Sequence, residues 1–145
     1  LDRFALQIAI GYPPEEQEID IVGDQGGTSA LANLEPAADL SEIAEVQNQV
    51  RHLHVDRSIH RYIVALARTT REDPRLELGV SPRGAMTLGR MSQAHAFLAR
   101  REATTPDDVK AMAIGSLAHR IVLTSKARYS GETKDGIVRE LLDQG

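Results

Sequence analysis

The 145 residues contain no cysteine, no tryptophan, two phenylalanines and three tyrosines. Without cysteine there is no disulfide framework, no thiol nucleophile and no Cys-based zinc site, a pattern compatible with a cytoplasmic protein. With so few aromatic residues the core must be aliphatic, built from Leu, Ile, Val, Met and Ala, which leans towards helix packing. A basic excess is also missing. The net charge is −4 and the Lys and Arg residues are scattered, so no field exists to hold a nucleic-acid backbone. No apolar run approaches the roughly 18 residues of a membrane span, and no charged-then-apolar signal peptide opens the chain. The chain does not begin with Met, and its opening LDRFALQIAI reads as the interior of a longer protein.

Familiar catalytic patterns are equally scarce. His52, His54, His60, His95 and His119 form no H-x-x-x-H pair and have no acidic triplet nearby, so no metal site is expected. There is no G-x-S-x-G elbow, and without cysteine the remaining nucleophile options are weak, so an independent hydrolase is not expected. GDQGG at 23–27 lacks the Lys of a phosphate loop and reads as part of a plain loop over 23–39.

What the chain does have is helical periodicity. After an alternating strand-like run at 4–10 (FALQIAI), Tyr12-Pro13-Pro14 breaks the pattern, and Glu15, Glu16 and Glu18 open a short helix to about Val22. Ser41 is placed to cap a helix to about Leu53, with Ile43, Val46, Val50 and Leu53 on one face. Asp56 is placed to cap the next, to about Thr70, and the two are expected to form a helical hairpin. A loop covers 71–80. Ser81 and Pro82 then open a helix to about Arg101, with Ala85, Leu88, Met91, His95 and Leu98 along one face. Thr105-Pro106-Asp107-Asp108 has capping-box spacing and starts a helix to about His119. Residues 120–124 (RIVLT) suit a short extended segment, and a last helix spans about Thr133 to Asp143. The fold class is mainly α, a small helical bundle with one remnant β-strand at the N-terminus.

Two arginines stand out. Arg83 lies in the first turn of its helix, where the positive end of the macrodipole disfavours a cation by about 0.3–1 kcal/mol. An anion bound there would reverse that penalty, since a guanidinium fork and free N–H groups both suit phosphate. A surface side chain that bends away is the simpler alternative. Arg3, beside Asp2 just before the strand, reads by itself as a local ion pair, worth little on an exposed surface.

The blocks LDRF with GYPPEE at 1–16, LELGVSPRGAMTL at 76–88 and TTPDDVKAMAIGSLAHRIVL at 104–123 resemble, in this order and spacing, the C-terminal part of a MoxR-type AAA+ ATPase. The resemblance implies that residues 1–12 close an α/β nucleotide-binding core, 13–40 link onward, and 41–145 form the helical lid. It implies that Arg83 is the sensor-2 arginine, with Ser81 and Pro82 as nucleotide-side neighbours, and that Arg3 is the arginine finger, presented in trans to a neighbouring subunit. Asp2 would orient the finger or meet the subunit interface. ATP and Mg would be the cofactors of the full-length parent. Walker A, Walker B and sensor 1 would lie upstream of Leu1, so no cofactor is expected on this chain alone, nor any activity. The implied partners are a homo-oligomeric ring, client proteins and von Willebrand A-domain proteins, with no nucleic acid and no membrane insertion. A helical protein-interaction module without a nucleotide role is the competing class, and a DNA-binding helix-turn-helix protein is disfavoured by the acidic balance. Cut from its sheet, the 4–10 strand is expected to be disordered, docked on the bundle, or paired with another chain.

Overall fold

In the computed structural model, which describes residues 2–23 and 34–144, most helix starts are decided by the residue just before them. Asp56 accepts from Ser58 N at 2.7 Å, Ser81 from Gly84 N at 3.1 Å and Thr133 from Gly136 N at 3.1 Å. At Thr105 the box closes in reverse, the Thr105 N–H donating to Asp108 Oδ2 at 2.8 Å. Each cap satisfies a backbone donor that the helix itself cannot, worth about 1 kcal/mol. One expected cap moves: Asp39, not Ser41, opens its helix, accepting from Glu42 N while Glu42 Oε2 accepts from Asp39 N. Ser41 lies inside the first turn and donates its hydroxyl to Asp39. A carboxylate two residues earlier can take both donors, and the helix starts there.

The elements run α1 (Glu15–Gly23), α2 (Leu40–His52), α3 (Arg57–Glu72), β1 (Leu76–Leu78), α4 (Pro82–Leu98), α5 (Pro106–Leu117), a 3₁₀ turn (Ala118–Arg120), β2 (Val122–Leu123), α6 (Ser125–Tyr129) and α7 (Lys134–Asp143). The fold is mainly α, as the sequence predicts. β1 and β2 pair antiparallel, Leu76 opposite Leu123 and Leu78 opposite Val122, with a bulge between. The extended segment expected at 120–124 therefore exists, and its partner lies in the loop expected at 71–80. α6 was not legible as a separate helix.

Ile63 and Leu66 of α3, Leu88 of α4, Val109 and Leu117 of α5, and Ile137 and Leu141 of α7 meet in one aliphatic core. α4 contributes a different face from the one its hydrophobic residues suggest. Gly84, Leu88, Ser92 and Ala96 are buried, while Leu98 is 78% exposed. The small residues Gly84, Ser92 and Ala96 on this face let α5 approach closely, and α4–α5 is the most extensive helix contact. Nor do the helices either side of Asp56 pair as a hairpin: α2 packs on α4 instead. α2 buries none of its residues, so its apolar stripe only half covers a neighbour.

At the α4–α5 corner Asp108 is completely buried. Arg101 donates to both of its oxygens, Nη1 to Oδ2 at 2.8 Å, and His95 Nδ1 lies 2.6 Å from Oδ1. Burial pushes this carboxyl up, but hydrogen bonds from Arg101, His95 and Thr105 outweigh burial and hold it at about 2.

Residues 4–10 do not form a strand. Among the described residues no strand pairs with them, and the segment docks in extended form on the end of α5, Gln7 N donating to Gly115 O at 2.9 Å. Of the three outcomes expected for this segment, docking is the one observed. Its alternating side chains stay outward, Ile10 being 93% exposed, because one strand alone offers no sheet face to bury against. The loop expected over 23–39 lies mostly outside the described residues.

Candidate functional site

The site is built around the start of α4. Ser81 caps the helix and Pro82 fits its first turn without losing a donor. Ala85 N donates to the Ser81 carbonyl at 3.1 Å, and Gly84 N to the Ser81 hydroxyl. With Pro82 lacking an N–H, this helix start offers at most one free donor, that of Arg83. An anion here would be held by the guanidinium more than by the backbone.

An anion already faces the helix start, and it belongs to the chain. Ser81 Oγ lies 3.2 Å from each carboxylate oxygen of Asp2, donating to that group. Asp2 is held from the other side by Arg120, whose Nε donates to Asp2 Oδ1 at 3.1 Å. This carboxylate offsets the positive end of α4, and the Arg83 side chain is exposed.

Arg83 and Arg3 line the same concavity. Arg3, Ala5, Arg83, Met86, Thr87, Arg90 and Met91 line one concavity of about 280 Å³. Its lining carries three guanidinium groups and no carboxylate. Arg3 also sits over the Phe4 ring, 5.2 Å from its centroid, which restricts how far the side chain can swing. The structure thus brings together the two arginines singled out in the sequence, 80 positions apart in number, while Ser81 supports them and Pro82 contributes backbone geometry alone.

Two residues at this site were missed by sequence reasoning. Arg90 follows Arg83 by seven positions, which is two helical turns, so the spacing was a readable signal. Arg120 sits in the apolar run AHRIVL, and an arginine buried by its neighbours must find partners elsewhere. Its residue exposure is 6%. No group of three or more potential metal ligands occurs among the described residues.

Comparison with known proteins gives this geometry a context. Residues 68–141, about half of the chain, match the AAA lid domain family. The chain belongs to that family. It is 36% identical over 142 residues to protein YeaC of Bacillus subtilis, covering 98% of this chain and 44% of that one. It is 30% identical to chaperone MoxR1 of Mycobacterium tuberculosis, over 97% of this chain and 39% of the relative. Protein MoxR of Paracoccus denitrificans is also 30% identical, over 85% and 42% respectively. A crystal structure of a candidate ATPase from Cytophaga hutchinsonii has the same fold, with a TM-score of 0.84 at 24% identity over 99% of this chain and 46% of that one. The chain is therefore an AAA+ lid region of the MoxR type, and it spans less than half the length of these curated relatives.

Proposed function

We propose that this lid couples ATP binding and hydrolysis in a full-length MoxR-type ATPase to chaperone-like remodelling or activation of client proteins. Arg83 is the sensor-2 arginine and Arg3 the arginine finger, acting within a homo-oligomeric ring in the cytoplasm. The observation that carries this reading is the concavity lined by both residues and by Arg90. Phosphoryl transfer spreads negative charge over the γ-phosphate oxygens, and planar guanidinium groups can stabilise it from several sides. Three of them around a lining without a carboxylate fit a phosphate in chemistry. Because Arg3 and Arg83 share the concavity, they are read as meeting the same nucleotide, held by an α/β domain at a subunit junction. ATP and Mg would supply the reacting phosphoryl group and the charge-neutralising cation. This chain would supply the arginines and the helix that carries them.

The test is steady-state ATP hydrolysis by the assembled full-length protein. Arg83→Ala and Arg3→Ala should each lower kcat by about tenfold or more, the finger variant the further, since such arginines are worth about 10³–10⁵ in related chemistry. Wild-type turnover by Arg83→Ala would overturn the sensor-2 assignment.

A second reading has its own observation. Between α3 and α4 lies a largely apolar groove of about 540 Å³ whose lining includes Ile63, Val64, Ala67 and Met86, with Arg71 and Arg90 also present. A helical interaction module without a nucleotide role would use this groove, and client binding would then respond to Val64→Asp and Met86→Asp while Arg83→Ala had no effect.

A further inference from the structure

Arg120 is a buried arginine with several partners distant in the chain. Its side chain is 1% exposed; Nε and Nη2 donate to the segment that carries Arg3, while Nη1 faces the Ser116 carbonyl and His119 Nε2. Nε reaches Asp2 Oδ1 at 3.1 Å, and Nη2 reaches the Asp2 carbonyl at 3.0 Å and the Phe4 carbonyl at 2.5 Å. Nη1 holds the Ser116 carbonyl at 2.5 Å, at the end of α5. The two carbonyls gripped by Nη2 belong to the residues on either side of Arg3. On the far side of Asp2, Ser81 ties the same carboxylate to the start of α4, two residues from Arg83.

We propose that Arg120 is a positioning residue that fastens the arginine-finger segment to the lid, so that Arg3 and Arg83 move as one body with α4 and α5. This inference rests on the reading of Arg3 as the finger. A desolvated guanidinium is costly to bury without partners, and here they include the backbone carbonyls flanking a single residue, a geometry that restrains the backbone from which that residue's side chain departs. Gly84 makes the contact possible, because a Cβ there would stand 3.0 Å from Arg120 Cδ. Gln7, docked on Gly115, anchors the segment a second time on the same helix end. The finger segment, expected to close the α/β core, is thereby tied to the lid as well, and rotation of the lid would move both arginines together.

The experiment uses the full-length protein. ATP turnover is measured for wild type, Arg3→Ala, Arg120→Met, Asp2→Ala and the double variant Arg3→Ala/Arg120→Met, with thermal melting of each. Arg120→Met and Asp2→Ala should lower kcat by about fivefold or more while KM for ATP stays within about twofold, the pattern of an interaction made in the transition state. The double variant should be no slower than Arg3→Ala alone, because Arg120 acts through Arg3; general structural damage would instead multiply the losses. A multiplied loss overturns the inference, as does wild-type turnover of Asp2→Ala beside a crippled Arg3→Ala. Should Arg120→Met fail to fold, Asp2→Ala and its double variant with Arg3→Ala decide by the same criteria, since the Asp2 side chain is 47% exposed. Wild-type turnover of Arg3→Ala would instead overturn the finger reading itself.

Discussion

Gly84 and Arg120 are packed so closely that a Cβ on the glycine would come within 3.0 Å of Arg120 Cδ and 3.3 Å of its Nε, and within 2.8 Å of Val80 Cγ1. Val80 is fully buried and Arg120 is held by its hydrogen bonds, so neither neighbour can yield. Alanine would favour the helix by about 1 kcal/mol, but overpacking a filled site costs about 1–3 kcal/mol. Gly84→Ala should therefore lower unfolding stability by about 1 kcal/mol in urea titration. A gain in stability would show that Arg120 is free to move.

Asp108 should make this domain acid-sensitive. Its carboxyl is held at about 2 against an ordinary value of 3.8. A folded-state value below the unfolded one contributes stability that is complete above about pH 4 and is lost as pH falls through about 2. The amount is about 2 kcal/mol at neutral pH. Asp108→Asn should remove that pH dependence and cost about 3 kcal/mol, since Arg101 is left beside a neutral buried group. Denaturant midpoints measured from pH 7 to pH 2 for both proteins check this.

Gly79 has no room for any side chain. A Cβ there would lie 2.7 Å from Arg71 Cα, Arg71 N and the Thr70 carbonyl oxygen, all backbone of α3. Beside it, Val80 N donates to Thr70 Oγ1 at 2.9 Å and Arg71 Nε to the Val80 carbonyl at 2.7 Å. Backbone cannot rotate away as a side chain can. Gly79→Ala should cost about 2 kcal/mol or more and lower the melting temperature by several degrees. A melting temperature equal to that of wild type would contradict the packing.

Arg83→Ala and Arg90→Ala should leave stability almost untouched, within about 0.5 kcal/mol, because both side chains are exposed and neither carries a cap or a buried contact. Removing Arg83 from the first turn of α4 even relieves a small dipole penalty. Thermal melts of the isolated domain check this, and an unchanged melt beside impaired turnover of the full-length protein would separate function from folding.

Local chemistry was legible because its causes lie within a few residues. Asp56, Ser81 and Thr105 cap the helices they were expected to cap, since a cap depends on donors two or three positions ahead. Ser41 gave way to Asp39 by the same rule, the earlier carboxylate accepting from both the Ser41 hydroxyl and Glu42 N. The buried face of α4 was less legible, because Gly84, Ser92 and Ala96 count for little on any hydrophobicity scale. They are buried for their size, which matters only once α5 lies against them.

By itself the sequence determined the helical class, the starts of most helices, the absence of cysteine chemistry and the two arginines worth attention. Tertiary structure alone decided that residues 4–10 dock on α5 without forming a strand, that α2 packs on α4, and that Arg3, Arg83 and Arg90 share one concavity. Those outcomes depend on which distant groups can satisfy a buried donor or fill a close approach. Arg120 reaching Asp2 and Phe4 across more than a hundred positions is such a choice, made by packing and burial rather than by neighbours in the chain.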